Sequence, residues 1–251
     1  MAFDVAAGAY DRYMGRYSRV LSPKMADFAG IGPGQRALDV GCGPGTLTAE
    51  LAARLGADAV TAVDPWAEFV EAVAARNPGV TVRQAAAEEL PFDDHEFDVA
   101  LAQLVVHFMD DPLAGLTEMR RVTRRRGVVA ACVWDLAGGR APISLVLQAA
   151  RALNATDDDE SLAAGARDGH LTELFEAVGL RDIQAATFEV SVEHTTFDEW
   201  WDPYTLDVAA GSCVAMFDAA LRDEIRQRCR ELLGDGPFTI TSVAWAARGL
   251  A

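Results

Sequence analysis

The sequence predicts an α/β protein, doubly wound around a mostly parallel sheet of seven strands with helices on both faces. Three observations predict it. Between Gln35 and Asp135 short apolar runs alternate with amphipathic stretches, the pattern of βαβ units with right-handed crossovers. A glycine-rich turn, Gly41-Cys-Gly-Pro-Gly45, joins the first strand of that stretch to its first helix. The 251 residues are 51% hydrophobic and 24% charged, the composition of a packed domain large enough to bury a core without staples.

Each element follows from its own residues. Arg36-Ala-Leu-Asp-Val-Gly41 reads as a buried strand running into the turn. Leu47, Leu51 and Leu55 recur every fourth residue in the helix after it, and Gly56 stops that helix. Ala59–Val63 is a second strand, and Phe69, Val70 and Val73 mark the inner face of the next helix. Val80–Arg83 is a third strand. Phe97–Leu104 is a fourth, introduced by the polar turn Asp93-Asp-His-Glu96. Pro112 opens a helix with Leu113, Leu116, Met119 and Val122 on one face, and Gly127–Trp134 is a fifth strand. Beyond it the spacing predicts helices over 142–153, 171–179 and 214–233, strands over 183–192 and 238–245, and a loop over 156–169 carrying the acidic run Asp157–Glu160. No composition break divides the chain, so one domain is expected over 1–251. Residues 1–34 precede the core at 35–135, and 136–251 supply an insert and the last strands.

Charge and cysteine usage exclude several classes of function. Twenty-two Lys and Arg against 38 Asp and Glu give a net charge of −16, unsuited to a nucleic-acid partner, whose phosphates need a basic footprint. Cys42, Cys132, Cys213 and Cys229 form no metal spacing and no disulfide framework. No signal peptide and no apolar run long enough to span a bilayer is present, so a cytoplasmic location is expected.

The turn carries the chemistry. Glycines at 41, 43 and 45 allow a ligand to approach the backbone closely. The dinucleotide spacing is G-x-G-x-x-G, which receives a pyrophosphate; here the spacing is G-x-G-x-G, and Asp39 stands two residues before it. A carboxylate there suits a ligand with positive charge and hydroxyl groups. Asp64 ends the second strand nineteen residues after Gly45, where an acid can accept from a ribose diol or simply form a turn. A nucleoside ligand without a diphosphate meets these features.

Ala37-Leu-Asp-Val-Gly-Cys-Gly-Pro-Gly45, with Glu88-Glu-Leu-Pro-Phe92, Phe97-Asp-Val99 and the His107-x-x-Asp110 region, resembles the class I S-adenosylmethionine-dependent methyltransferases. The pattern is most similar to the small-molecule enzymes of the ubiquinone/menaquinone-biosynthesis type, and the resemblance covers about residues 10–135. It implies a Rossmann-like fold with an N-terminal helical lid, S-adenosyl-L-methionine as cofactor and S-adenosyl-L-homocysteine as product. It further implies that Gly41, Cys42 and Gly43 line the cofactor, with Asp39 near the methionine ammonium and Asp64 on the ribose. Pro65 would then pack on the adenine, the Ala87 N–H would point to it with Glu88 beside it, and Gln103 would lie next to the sulfonium. Two departures stand out. Ala86 replaces the usual adenine-binding Asp, and Arg124-Arg-Arg-Gly127 replaces Pro-Gly-Gly. Those arginines read as charges complementing a helix C-terminus.

In similar enzymes the N-terminal segment closes over cofactor and substrate, which makes Arg16 the candidate donor to the cofactor carboxylate, with Tyr13 and Met14 over the methionine part. The alternative is a helix whose aromatics pack on the sheet. His107 is the candidate general base, needed only if the acceptor is protonated, or else a packing residue. Tyr10, Tyr17, Trp134, Asp135 and Trp200-Trp-Asp-Pro-Tyr204 form the expected acceptor wall, suited to an apolar or aromatic small molecule. Trp200 and Trp201 serve equally as core or as subunit contacts, which admits a homodimer. Methyl transfer to a small-molecule acceptor by in-line displacement is the expected function. A non-catalytic cofactor-binding module and a nucleotide-linked oxidoreductase are the alternatives.

Overall fold

The computed structural model describes residues 11–153, 162–206, 214 and 217–251. Tyr10, the acidic run Asp157–Glu160 and Cys213 lie outside the described residues. A π-helical turn, Asp11–Gly15, leads into α1 (Arg16–Ala29). The βαβ region follows as β1 (Ala37–Val40), α2 (Thr46–Leu55), β2 (Val60–Asp64), α3 (Ala67–Arg76), β3 (Thr81–Gln84), β4 (Phe97–Gln103), α4 (Pro112–Val122) and β5 (Thr123–Trp134). Beyond it come α5 (Ser144–Ala152), α6 (His170–Ala177), β6 (Arg181–His194), α7 (Phe197–Trp201), α8 (Ala219–Leu233) and β7 (Phe238–Leu250).

The seven strands lie in the order β3-β2-β1-β4-β5-β7-β6. The first five are parallel, and β7 runs antiparallel between β5 and β6. All four residues of β1 are buried, whereas β3 at the edge shows mostly exposed residues, as expected where a central strand is covered on both faces. Alternate residues of β4 and β5 serve two cores. Val99, Leu101, Ala130 and Cys132 pack with Leu21 and Met25 of α1, Leu47 and Leu51 of α2, and Val146 and Ile225 of α5 and α8. Ala100, Ala102, Val129 and Ala131 pack on Leu116 and Met119 of α4 and Phe175 of α6. Asp111 caps α4 by accepting the Leu113 and Ala114 N–H groups, with Pro112 at the first helical position.

The expected N-terminal helix is present as α1, and its Leu21, Met25 and Ala29 are buried against the sheet. One expectation changes. Arg124, Arg125 and Arg126 belong to β5, not to a helix terminus, because α4 passes into β5 at Thr123 without an intervening turn. The charges in the last turn of α4 are Arg120 and Arg121.

Candidate active site

Parallel strands bring their C-terminal ends together, and there the three glycines do three different things. Gly41 has φ +69°, and a Cβ on it would lie 2.5 Å from both Cγ atoms of Val105, so β1 could not pass that side chain with a larger residue. Gly45 (φ +94°) is pressed against Val73 and Asn77, each 3.0 Å from a would-be Cβ. Gly43 (φ +52°) has no atom within 4 Å of that position and borders open space. The turn is fixed from β2: the Gly41 and Cys42 N–H groups donate to the Val63 carbonyl at 2.8 and 2.9 Å. Asp64 Oδ2 accepts the Gly43 N–H at 2.9 Å, and Oδ1 accepts the Trp66 N–H at 3.0 Å. Asp64 therefore holds the turn and keeps further lone pairs for a ligand.

A cavity of about 540 Å³ opens over this turn, within the range typical of small-molecule sites. Gly41, Gly43, Asp64 and Pro65 form one side, and Ala86, Ala87, Glu88 and Gln103 another. A narrow recess of about 30 Å³ adjoins it at Gly41, Gly43 and Gln103 and continues past Ser18, Asp39 and Cys42. Gln103 Oε1, at the junction, is buried without a hydrogen-bond partner. The Ala87 N–H takes part in no hydrogen bond among the described residues. Glu88 Oε1 accepts the Asp111 N–H at 3.3 Å, tying that wall to the start of α4.

Burial sets the electrostatics. Asp39 is 1% exposed, accepts the Thr48 hydroxyl at 2.6 Å, and is pushed up to about 7, mainly by loss of solvent. Burial also raises Asp64, and it raises the Cys42 thiol, which is thereby kept protonated. Two carboxylates poorly compensated by cations favour a ligand that brings positive charge.

Several expected residues lie elsewhere. Arg16 pairs with Glu199 at 2.8 Å and donates to the Glu193 carbonyl at 2.8 Å, with His194 Nδ1 3.3 Å away. Its guanidinium is thus committed to the end of β6 and to α7. Tyr13 and Met14 are buried in the same core and border neither the cavity nor the recess, and Tyr13 meets Tyr204 edge-on at 5.1 Å. His107 lies against Phe108 (centroids 3.9 Å apart) and does not line the cavity. Burial depresses its pKa to about 4, so the base role finds no geometric support.

Other residues went unread. Ser18 reaches the recess from α1, which packs on α2 and across β4, β5 and β6. Trp66 and Phe69 stack at 6.0 Å and line the cavity, with Phe108 and Met109 also on its wall. Trp66 and Phe108 are large apolar groups left partly in solvent, 39% and 61% exposed. A sequence signal existed for these two in their closeness to Asp64 and to the end of β4.

The described aromatic residues expected to wall the acceptor pack as a buried cluster and line neither the cavity nor the recess. Tyr17 meets Trp134 edge-on at 6.3 Å, and its hydroxyl lies 3.3 Å from His194 Nε2. Trp200 packs on Tyr204 at 5.0 Å. The indole N–H groups of Trp134 and Trp200 are buried and unpartnered. Asp135 does not belong to this wall. It accepts from the Gly138 N–H and the Trp245 indole and pairs with Arg140 at 2.5 Å, which fixes the loop after β5.

The mostly parallel sheet with this strand order, and the glycine turn backed by Asp39 and Asp64, agree with the methyltransferase class that the sequence resembles. Comparison supports that class, since residues 38–131 match the methyltransferase domain family. An uncharacterized methyltransferase of Mycobacterium bovis is 35% identical over 135 residues, covering 54% of this chain and 52% of that protein. The malonyl-[acyl-carrier protein] O-methyltransferase of Erwinia billingiae is 34% identical over 128 residues, 51% of this chain and 50% of that protein. The matched stretch thus spans about half the length of these relatives. The crystal structure of the YcgJ protein of Bacillus subtilis shares the fold with a TM-score of 0.61 at 18% identity, covering 91% of this chain and 97% of that one. Residues 38–131 thus carry the match to a methyltransferase domain, whose cofactor in the class that the sequence resembles is S-adenosylmethionine.

The donor set fits that cofactor. Gly43 leaves a space that any Cβ would fill, Gln103 Oε1 is an orphaned acceptor at the narrow junction, and Asp39 is a buried carboxylate without a cation. No helix among the described residues is long and apolar enough to cross a membrane.

Proposed function

We propose that this protein transfers the methyl group of S-adenosylmethionine to a small-molecule acceptor by in-line displacement. One observation carries the reading: Asp39 and Asp64, both buried, flank a glycine turn whose middle residue faces an open cavity. When bound, the cofactor supplies an activated sulfonium methyl, so the chain's task is alignment and exclusion of water. In this reading Asp64 accepts from the ribose hydroxyls, and Asp39 with Gln103 receives the methionine part. The exposed ring of Trp66 and the Ala87 N–H hold the adenine. Pro65 and Cys42 shape the walls, and Glu88 stiffens the adenine side.

The acceptor enters from the aromatic side. Tyr17, Trp134, Trp200 and Tyr204 suit an apolar or aromatic molecule, and an acceptor oxygen that reached the buried indole N–H groups of Trp134 and Trp200 would give them the partner they lack. A nucleic-acid acceptor fits poorly with a net charge of −16, and a cytoplasmic enzyme, as monomer or homodimer, accords with the composition. Calorimetry with S-adenosylhomocysteine, followed by its measurement as product against a panel of small aromatic and acyl acceptors, tests the reading. Saturable binding with turnover is expected. No binding would overturn the cofactor assignment, and binding without turnover on any acceptor would overturn the enzymatic one.

A further inference from the structure

A second cavity, about 680 Å³, lies at the opposite pole. It sits where β4 and β5 begin, whereas the cofactor cavity lies where β4 ends. The seven residues of β4 separate the two by about 20 Å at the usual strand rise. In a chain of net charge −16 this cavity is lined by Arg120, Arg121, Arg125, Arg126 and Arg181. Arg121 is neutralised by Glu118 and Asp94. Arg120 donates to the Val178 carbonyl at 3.0 Å and has donors to spare. Arg125, Arg126 and Arg181 have no carboxylate partner among the described residues. Four guanidinium groups without a side-chain carboxylate partner thus share a concave wall with Asp182 and with Ala251, whose oxygen accepts the Arg126 backbone N–H at 2.9 Å.

The backbone is bent to build this wall. The register between β4 and β5 shifts between Phe97 and Val99, and that between β6 and β7 shifts between Arg181 and Gln184. Such bulges re-aim side chains. Among the described residues, four that are not glycine have positive φ. Leu104 lies on the cofactor cavity, and the other three, His95 (63°), Arg126 (62°) and Asp182 (50°), all line this second cavity. Residues held in that region gather at binding sites, where the surroundings must hold them there.

We propose that this cavity binds a small polyanion, one molecule carrying two or more phosphate or carboxylate groups. The planar guanidinium fork pairs bidentately with both groups, and several forks around one hollow require more than one anionic group to satisfy them. A small molecule is favoured over an extended anionic polymer because the acidic remainder of the surface repels one beyond the hollow. The assignment is independent of the methyl-transfer reading.

Calorimetry on the full chain at low ionic strength, with inorganic pyrophosphate and separately with citrate, tests it. Arg125→Ala/Arg181→Ala removes two unpaired cations, and Arg228→Ala, at an exposed position of α8, is the control. Saturable binding of at least one anion by the wild type and the control is expected, weakened roughly tenfold or more in the double variant. S-adenosylhomocysteine affinity and melting temperature should stay unchanged. Whichever anion binds more tightly assigns the site to phosphates or to carboxylates. Arg125→Glu should abolish the binding altogether. Failure of both anions to bind, or equal binding by all the proteins, would overturn the proposal.

Discussion

Gly41 and Gly43 stand two residues apart and should fail in opposite ways when given a methyl group. In Gly41→Ala the new Cβ meets both Val105 Cγ atoms at 2.5 Å, about 1 Å inside ordinary carbon contact. Overpacking of that kind costs about 1–3 kcal/mol, and an alanine at positive φ adds roughly 1–2 kcal/mol. A stability loss of about 2–5 kcal/mol follows. For a chain of this length that lowers the melting temperature by roughly 4–20 °C. In Gly43→Ala nothing obstructs the Cβ, so only the conformational cost of about 1–2 kcal/mol remains. Its methyl group, however, occupies cofactor space, and affinity for S-adenosylhomocysteine should drop about tenfold or more. Urea unfolding and calorimetry read the two quantities separately. In a double-mutant cycle, Val105→Ala should relieve Gly41→Ala and leave Gly43→Ala untouched. Gly43→Ala binding as tightly as the wild type, or a Gly41→Ala deficit indifferent to Val105, would refute the reasoning.

Further outcomes follow from the same site. Asp64→Ala orphans the Gly43 and Trp66 amides and should cost about 2–4 kcal/mol of stability as well as cofactor affinity, read by melting with and without ligand; unchanged affinity would count against the ribose role. Asp39 titrates near 7 because it is buried, and a bound ammonium would pull that value down. Binding should therefore release a proton around pH 6, with affinity rising from about pH 5 to 7 and flat above; buffers of different ionisation enthalpy read the release, which Asp39→Asn should abolish. His194 is held at about 4 by burial and by Arg16, against an ordinary 6.5, so the unfolded chain takes up its proton first. Stability is full above 6.5 and falls by about 1–3 kcal/mol as pH drops toward 4, a slope that His194→Gln should flatten in urea titrations. Arg16→Ala should leave cofactor affinity within about twofold while costing roughly 1 kcal/mol of stability, since its partners are Glu199 and the end of β6.

What the sequence made legible was whatever is local in it. The glycine turn, Asp39 and Asp64 lie within 26 consecutive residues, and the strand periodicities around them point to the fold and to the pole proposed for the cofactor. The pairing of Arg16 was illegible because its partner is 183 positions away, and no local pattern announces Glu199. Ser18 was invisible for a similar reason, since its place at the recess depends on how α1 crosses the sheet. The arginine run read as a helix end because α4 and β5 meet at Thr123 with no turn residue to separate them. Asp135 sits where acceptor residues gather, and only the chain returning at Trp245 shows that its carboxylate is already spoken for.

The placement of β7 bears on how the molecule is made. It is the last of the seven strands in chain order, yet it fills the slot between β5 and β6. Until Phe238–Leu250 is in place, β5 presents an unpaired flank and β6 has no strand to pair with. A chain whose β7 has not yet docked carries an open, sticky seam through the middle of its sheet, which makes the insertion of that strand the step at which association with other chains is most threatening.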